Sequence, residues 1–498
     1  MLNELRNEAN KTFTENGAVT YRSTLSDCLD LFATAGALRH ADDGEIITRF
    51  MRAFGEDRDL AMKILFFARD IRCGLGERRF FRVVIRFLAS GCPEVVCNNV
   101  DKIGEFGRYD DILALMDTEC EAAAVAYIDS VLKQDIKAMN EHGEVSLMAK
   151  WLPSVNATNN ETVRLAKKIA RALKMSDASY RKMLSSLRRY IRIIENNLRT
   201  KDYSFDYEKQ PSKALFKYRQ AFIRNDYERY LEFINRAKTD PSIMNTGTLT
   251  PYDIVGRIIR SDTRFWYLNE GNDPSLSKEE RLVLDTSWNA LENYVNSDNT
   301  LAVVDGSGSM YVYSDPLPAA VAESLGIYFA EHNKGAFAGH FITFSGNPQL
   351  VKIKGKDIVD KVKYCMSFNE CSNTDIEKTF DLILNTAVKN GLKQSDIPSR
   401  LIIFSDMEFD WCAENSGMTN FENAKAKYNA AGYKLPKLVF WNVNSRTRQQ
   451  PVTMNEQGVV LVSGMSAQIF AMLKDDNLDP YSFMMSVLGS PRYEGIAA

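Results

Sequence analysis

Histidine is scarce in this 498-residue chain, which has only four, and no HExxH motif occurs. The eight cysteines include no CxxC pair, so neither a zinc-hydrolase motif nor zinc-finger spacing is present. No Walker lysine motif occurs, and the GxG at 74–76 follows a helical pattern instead of a strand, which argues against a nucleotide-binding loop. We therefore expect the cysteines to be free buried thiols and the histidines to be structural or solvent-facing.

Long apolar segments are also missing. No run of about eighteen apolar residues exists, and the N-terminal sequence MLNELRNEANKTF has no hydrophobic signal core. The content of 45% hydrophobic and 26% charged residues is that of a soluble globular protein. Because the chain is too long for one hydrophobic core, we expect two or more domains in a soluble, cytoplasmic protein without a membrane partner.

Charge is unevenly distributed along the chain. Residues 162–265 contain 23 Lys and Arg against 11 Asp and Glu, a net charge of +12. Since the whole chain carries −3, the remainder carries −15. A basic block in an otherwise acidic protein is the pattern of a surface that binds polyanions. Long helices also carry lysine and arginine for solubility, and charge alone does not separate these alternatives.

The first 270 residues or so have the apolar spacing of helices. Apolar residues recur at intervals of three and four, with breaks at GLGERR, GCPE and FGRYDD. Short helices with tight connections are typical of stacked helical pairs of the solenoid type. The segments with this spacing are 46–54, 59–71, 78–88, 112–115 and 122–139.

A helix predicted over 178–198 combines an apolar stripe with a line of arginines. The stripe has 3-4-3-4 spacing and should be buried, and the arginines lie about 100° round from it. These arginines are solvated, paired with acidic neighbours, or turned toward phosphates, which the planar guanidinium suits. Interleaved tyrosines either stack on bases or form half-buried packing. The stripe is Leu184, Leu187, Ile191, Ile194 and Leu198; the candidate RNA-binding residues are Arg181, Arg188, Arg192 and Arg199.

The segment LAVVDGSGSM (301–310) carries the most specific pattern in the chain. Four apolar residues predict a buried strand, and Asp305, Ser307 and Ser309 then alternate with glycines. One carboxylate and two hydroxyls at this spacing can converge on a hard cation such as Mg²⁺. The glycines allow the loop to curl around the ion. We expect this loop at the carboxyl end of a strand, where open α/β sheets bind ligands.

Two later segments extend this pattern. Thr374 precedes a predicted helix, and Asp406 follows the apolar run LIIF. A DxSxS loop, a later threonine and a still later aspartate resemble the metal-ion-dependent adhesion site of von Willebrand factor A-like domains. The resemblance implies the ligands Asp305, Ser307, Ser309, Thr374 and Asp406. Asn373 and Met407 stand where many such domains have glycine. Glu408 and Asp410 either add carboxylate character or are solvated loop charges, with solvation favoured.

The C-terminal half alternates strands and helices, which predicts a doubly wound α/β sheet covered on both faces. A helix over 278–295 leads into it. The predicted strands are 301–304, 338–344, 350–353, 400–405, 436–442 and 458–461, and the predicted helices are 316–332, 356–365, 375–389, 421–430 and 466–473. The tail from 479 is amphipathic at first and then loses its pattern.

Taken together, the chain resembles the TROVE–von Willebrand A proteins, and in particular a poorly characterised branch of that superfamily. The resemblance rests on segments such as DIRCGLGERR, FGRYDD, KWLPS, LVLDTSWNALENY and IIFSDMEFD. It implies a TROVE-like domain over 1–297 built from HEAT-like repeats bent into a ring. It further implies an A-like domain over 298–478 that helps to close the ring, and a tail over 479–498.

The hypothesis from the sequence is a non-enzymatic, ribonucleoprotein-type protein that binds structured or misfolded small non-coding RNA. It would hold Mg²⁺, or Mn²⁺ or Ca²⁺, in the A-like domain, and no DNA partner is expected. The alternative is a protein-interaction scaffold whose metal site captures an acidic residue of a partner. A metal-dependent hydrolase fits less well, because no histidine lies near the metal-site motifs.

Overall fold

The computed structural model describes residues 1–259, 276–296, 299–312, 315–371, 374–410, 418–473 and 479–498. It consists of an α-helical part followed by an α/β part, as expected for the coarse fold class. The expected domain boundary at 297–298 and the expected domain end at 478 lie outside the described residues.

The helical part consists of short helices joined by tight connections, with a small hairpin between the first helix and the second. Strands β1 (Lys11–Phe13) and β2 (Val19–Tyr21) pair antiparallel. The helices, in chain order, are α1 Leu2–Asn10, α2 Asp27–Thr34, α3 Asp43–Glu56, α4 Arg58–Arg69, α5 Arg78–Gly91, α6 Pro93–Cys97, α7 Ile103–Phe106, α8 Glu121–Asn140, α9 Met148–Trp151, α10 Asn160–Ala172, α11 Asp177–Tyr190, α12 Ile194–Thr200, α13 Ser212–Asn225, α14 Tyr227–Thr239, α15 Pro251–Val255 and α16 Lys278–Asn289.

Local sequence explains why several of these helices start where they do. Asp42 caps α3 by accepting a hydrogen bond from the Glu45 amide, and Asp57 caps α4 in the same way. In α5, the sequence RRFFRVVIRFLASG places apolar side chains on one face, and that face is buried. Among the described residues, no helix is both long enough and apolar enough to cross a bilayer.

The α/β part alternates strands and helices close to the expected positions. Its elements are β3 Thr300–Asp305, α17 Pro318–His332, β4 His340–Phe344, β5 Leu350–Lys352, α18 Ile358–Met366, α19 Ile376–Asn390, β6 Arg400–Ser405, α20 Asn420–Ala430, β7 Lys437–Asn442, β8 Val459–Ser463 and α21 Pro480–Leu488.

These strands form one six-stranded sheet in the order β5-β4-β3-β6-β7-β8. All neighbours are parallel except β4 and β5. The inner strands are buried along almost their whole length, as expected for apolar runs covered by helices on both faces. The chain runs from β3 to β4 on one side and later returns to β6 on the other. The carboxyl ends of β3 and β6 therefore form the switch point at which such sheets bind ligands.

The helical part contacts the α/β part through helices near its own N-terminal and C-terminal ends. Near its start, α2 packs against β8, and the Gly36 amide donates to Ser463 Oγ at 3.0 Å. A Cβ at Gly36 would lie 2.7 Å from the carbonyl carbon of Ser463, so this approach requires glycine. Near its other end, α15 packs against α17. Helices from both ends of the helical part thus contact the α/β part.

The single helix expected over 178–198 is wrong. Helix α11 ends at Tyr190 and α12 begins at Ile194. Between them Arg192 has a φ of +50°, in the left-handed region, which an α-helix cannot accommodate. The expected line of four arginines is therefore divided between two helices and their connection.

The C-terminal tail does not lose its structure. After α21, Tyr493 is only 2% exposed, and its ring lies 5.9 Å from that of Phe67 and 5.8 Å from that of Phe106. Arg492 pairs with Asp70 at 2.8 Å. Two predicted helices are also corrected, because α16 ends at 289 instead of 295 and residues 467–472 form a 3₁₀-helix.

Candidate functional site

The loop after β3 holds the three side chains of the DxSxS pattern close together. The Ser307 amide donates to Asp305 Oδ1 at 2.9 Å, and the hydroxyl oxygens of Ser307 and Ser309 are 3.1 Å apart. A Cβ at Gly306 would lie 2.7 Å from Asn369 Oδ1, so the loop needs glycine here. One carboxylate and two hydroxyls therefore stand at the carboxyl end of β3.

Asp406 follows β6 and lies beside this loop. The side chains of Asp305 and Asp406 are only 1% and 2% exposed. Burial, and then the negative charge of Asp406, raise the pKa of Asp305 to about 7. Burial also raises the pKa of Asp406, although Arg446 Nη2 donates to Asp406 Oδ2 at 3.0 Å and lowers it. The charge of Asp406 thus disfavours ionisation of Asp305, and a cation bound beside both carboxylates would offset this repulsion.

Thr374 is oriented by a separate set of hydrogen bonds. Its hydroxyl donates to Asp410 Oδ1 at 2.8 Å, and its amide donates to Asp410 Oδ2 at 2.7 Å. Within the described residues it makes no hydrogen bond to Asp305, Ser307, Ser309 or Asp406. The structure thus brings four of the five predicted ligands together and places Thr374 in the adjoining loop.

Glu408 is not the solvated loop charge that the sequence analysis favoured. It is only 1% exposed, and burial raises its pKa. Its carboxylate accepts hydrogen bonds from the Glu15 amide at 2.9 Å and from Thr447 Oγ1 at 2.7 Å. Its role in the fold is therefore to join the N-terminal hairpin and the loop after β7 to the end of β6.

The loop of the N-terminal hairpin lies across this end of the sheet, which the sequence analysis did not anticipate. Thr14 Oγ1 donates to the Phe409 carbonyl at 2.6 Å, and Asn16 Nδ2 donates to Thr374 Oγ1 at 2.9 Å. Glu15 pairs with Arg446 at 2.8 Å. Thr14 and Phe409 are 395 positions apart, so no local sequence pattern could signal this contact.

Met407 is one of the two departures from the adhesion-site pattern, and its backbone conformation accounts for it. Its φ is +68°, in the left-handed region that glycine adopts most easily. The backbone therefore has the conformation that suits the glycine of many related domains, although the side chain differs. The other departure, Asn373, lies outside the described residues.

The donor set fits a hard divalent cation. Asp305, Ser307, Ser309 and Asp406 supply two carboxylates and two hydroxyls, and Mg²⁺ prefers such oxygen ligands. No cluster of three or more His, Cys, Asp or Glu side chains suited to a metal occurs in the part of the chain that the structure describes. A metal here would therefore depend on the hydroxyls as well as on the carboxylates.

A second feature is an exposed basic stretch, defined here as eight side chains between positions 171 and 201. All eight are exposed, and none makes a side-chain hydrogen bond or an ion pair with another described residue. On α11, three of them share a polar face with Ser185 and Ser186. The members of the basic stretch are Arg171, Lys174, Arg181, Lys182, Arg189, Arg192, Arg199 and Lys201.

Arg188 does not belong to this stretch, although the sequence analysis included it among the candidates. Its guanidinium is turned inward and donates to the carbonyls of Ala149 at 2.8 Å and Leu152 at 2.7 Å, and to Ser154 Oγ at 2.7 Å. These bonds hold the 149–154 segment against α11. Lys182 and Arg189, which the apolar spacing did not single out, are exposed instead.

Some of the tyrosines that alternate with the basic residues are buried, and others are exposed. Tyr180, Tyr207 and Tyr230 are at most 4% exposed and serve as core residues. Tyr227 is 48% exposed. Packing, one of the two alternatives from the sequence, therefore describes these three tyrosines better than a continuous stacking surface.

Two families match the chain, and each is described as a domain of unknown function. DUF2828 matches residues 14–120 and 123–301, and DUF7788 matches residues 299–482. An uncharacterized protein, L728, of Acanthamoeba polyphaga mimivirus is 29% identical over 525 residues, covering 96% of this chain and 87% of that protein. The crystal structure of the Deinococcus radiodurans RO (RSR) protein matches at a TM-score of 0.50 and 13% identity, covering 94% of this chain and 100% of that chain. At this identity the likeness concerns the fold, which is Ro-like.

Proposed function

We propose that this chain, which belongs to the family described as domain of unknown function DUF2828, is a non-enzymatic RNA-binding protein. The observation that carries the proposal is the basic stretch, eight exposed cationic side chains with no hydrogen-bond or ion-pair partner among the described residues. Affinity for nucleic acid comes largely from lysine and arginine that replace the counterions of phosphates. The Ro-like fold is further support for the RNA-binding proposal.

In its finer form, the proposal is that HEAT-like repeats and the A-like domain form a ring, and that small non-coding RNA binds against the basic stretch. The contacts of α2 with β8 and of α15 with α17 support such closure. Arg181, Arg192 and Arg199 are exposed members of the proposed RNA surface, while Arg188 stabilises it from inside.

We further propose that the A-like domain binds Mg²⁺, with Mn²⁺ or Ca²⁺ as alternatives. Asp305, Ser307, Ser309 and Asp406 would hold the ion, and Thr374 would reach it through water. When bound, the ion supplies a positive charge that can attract an acidic group.

The alternative, a scaffold that captures an acidic partner residue at this ion, receives less support. Glu15 and Asn16 already lie against Arg446 and Thr374. A partner's carboxylate would have to displace this loop. We therefore favour a structural role for the ion.

Fluorescence anisotropy with a labelled single-stranded RNA at several salt concentrations tests the RNA proposal. In the triple variant Arg181→Glu, Lys182→Glu and Arg189→Glu, we expect affinity to fall about tenfold or more at low salt. The salt slope should flatten by roughly one unit for each lost phosphate contact. A DNA strand of the same sequence serves as the comparison ligand and should bind more weakly.

The matched control reverses Lys378 and Lys389, two exposed lysines of α19 in the α/β domain. This variant should bind RNA as the wild type does. Wild-type protein that does not bind RNA even at low salt would contradict the proposal. An equal loss of RNA affinity in the triple variant and in the control variant would indicate general charge repulsion. That result would contradict the assignment of RNA binding to the basic stretch.

A further inference from the structure

Three segments that the proposed function leaves unused meet at one place in the structure: DIRCGLGERR (70–79), FGRYDD (106–111) and KWLPS (150–154). Arg82, from the helix that starts in the first segment, lies 2.7 Å from Asp110, and Arg108 lies 2.5 Å from the same carboxylate. The Arg108 guanidinium lies 4.0 Å from the centre of the Trp151 ring. We call this group the arginine cluster; its members are Arg69, Arg78, Arg82, Arg108, Asp110, Asp111 and Trp151.

The arginine cluster has more positive than negative charge. Buried Asp111 is shared between Arg69 at 2.7 Å and Arg82 at 2.6 Å. Asp110 is shared between Arg82 and Arg108, so both carboxylates are already engaged. Four arginines against two aspartates leave two positive charges without a counterion in the cluster.

Arg78 is the residue in which this excess is clearest. It is exposed, and it makes no hydrogen bond or ion pair with any residue that the structure describes. Arg78 and Arg82 are four residues apart on α5 and therefore share one face of the helix. Partial desolvation, followed by the like charges of Arg108 and Arg82, lowers the pKa of Arg78. The adjoining acid, Glu77, is paired with Arg39 at 2.8 Å and is not available.

The cluster is accessible and lies at an electropositive helix end. The side chains of Arg82 and Arg108 are 33% and 29% exposed. Arg78 and Arg82 stand in the first turns of α5, whose first turn has no acidic residue and whose N-cap makes no side-chain hydrogen bond. Cations at the positive end of a helix dipole are unfavourable, so an anion bound here would stabilise the arrangement.

The arginine cluster is next to the basic stretch. The 149–154 segment, which carries Trp151, is held on one side by Arg108 and on the other by Arg188 of α11. Helix α11 and the arginine cluster therefore contact the same short segment, through Arg188 and Arg108 respectively. A polyanion bound at α11 would therefore have the arginine cluster nearby, across this segment.

We propose that Arg78, Arg82 and Arg108 form a phosphate-binding site that takes a backbone phosphate of the RNA strand bound at α11. The identity of this ligand rests on the proposed function. Arginine suits the task because its planar fork donates two parallel hydrogen bonds to phosphate oxygens. Stacking on Trp151 and pairing with Asp110 hold Arg108 in place before the ligand arrives.

The test compares Arg78→Gln with Arg79→Gln, the same charge change at the next residue. Arg79 points away and binds the Ala41 carbonyl at 2.6 Å and Asp43 at 2.5 Å. Two probes are used: inorganic tripolyphosphate, followed by the shift in melting temperature, and labelled single-stranded RNA, followed by anisotropy. We expect Arg78→Gln to lose most of the tripolyphosphate-induced shift and to weaken RNA binding by about fivefold at low salt. Arg79→Gln should behave as the wild type does.

The two probes separate this inference from the proposed function. If the wild type binds RNA and Arg78→Gln binds it equally well, the phosphate site is refuted and RNA binding stands. If RNA does not bind but the tripolyphosphate shift depends on Arg78, the phosphate site stands and the RNA function fails. An Arg78-dependent response to a hexaglutamate peptide that exceeds the response to both phosphate probes would identify an acidic protein ligand and overturn the inference. If Arg78→Gln changes neither the tripolyphosphate-induced shift nor RNA binding, the inference is also overturned.

Discussion

Ser405 donates a hydrogen bond of 2.5 Å to Asp305 and thereby joins the carboxyl ends of the two central strands. The register of β3 and β6, which pairs Val304 with Phe404, brings these side chains opposite each other. The position of the Asp305 carboxylate is therefore fixed by the sheet itself, and a cation would enter a preformed arrangement.

Asparagine substitutions should reveal the metal site. We expect Mg²⁺ or Mn²⁺ to raise the melting temperature of the wild type, because a ligand that binds only the folded state stabilises it by about 2.7 kcal/mol at one hundred times Kd. Asp305→Asn and Asp406→Asn should lose this dependence, since each removes a charged oxygen ligand. Differential scanning fluorimetry with and without the ion measures it.

The control for the metal site is Asp381→Asn, a carboxylate of α19 that pairs with Lys427 instead. It should retain the full response to the ion. An identical response in the wild type and in both site variants would show that these residues do not hold a metal.

Arg188 and Arg189 should differ sharply in their effect on stability, although they are adjacent and chemically identical. Arg188→Ala removes hydrogen bonds to Ala149, Leu152 and Ser154 and should lower the free energy of unfolding by about 2–4 kcal/mol. Arg189→Ala changes an exposed side chain that pairs with no described residue, and the variant should stay within about 0.5 kcal/mol of the wild type. Urea unfolding followed by circular dichroism gives both values, and similar costs for the two would contradict the assigned orientation.

Removing the Tyr493 ring should destabilise helices that are remote in sequence. Tyr493→Ala leaves a cavity beside Phe67 and Phe106, and we expect a cost of about 3–5 kcal/mol in the free energy of unfolding. Met485→Ala, which truncates a side chain that is 42% exposed in α21, is the control and should cost far less. Equal denaturation curves for the two variants would mean that the last turn of the chain is not anchored.

Glu323 should make stability depend on pH. It is 1% exposed, neither carboxylate oxygen has a hydrogen-bond partner among the described residues, and burial raises its pKa to about 8. The folded protein holds this proton more tightly than the unfolded chain. The contribution to stability is therefore complete below the usual pKa of 4.5 and is lost as the pH rises through about 8.

Glu323→Gln mimics the protonated form and should flatten this dependence. Between about pH 5 and pH 8, the wild type should lose at most about 1.4 kcal/mol more per pH unit than the variant. Glu144→Gln, at an exposed position, serves as the control and should follow the wild type. Parallel stability curves for the wild type and Glu323→Gln would place the carboxyl group in a more polar setting.

Periodicity predicted most of the elements because the apolar patterns here are long and regular. The strand at 400–405 matches β6, and the DxSxS loop lies after β3. The break between α11 and α12 was not predictable, since it contains neither glycine nor proline and depends on Arg192 in a left-handed conformation. A left-handed conformation at a residue other than glycine leaves no mark in composition.

The contacts around the candidate site could not be predicted from the sequence either. Spacing placed Asp305, Ser307 and Ser309 together, because neighbours along a loop are local information. It could not show that Asn16 binds Thr374, since these residues are 358 positions apart. Nor could it separate Arg188 from Arg189, because which of two adjacent arginines turns inward depends on carbonyls supplied by another segment.

The anchoring of Tyr493 also has a consequence for how the protein is made. Its hydroxyl donates to Asp70, which is 423 positions earlier in the chain. At a translation rate of about 5–20 residues per second, Tyr493 is synthesised on the order of a minute after α4 and α7, the helices on which it packs. During that interval Phe67 and Phe106 lack their final cover. The core formed by Phe67, Phe106 and Tyr493 is therefore completed late in synthesis, long after the two helices that it joins have emerged.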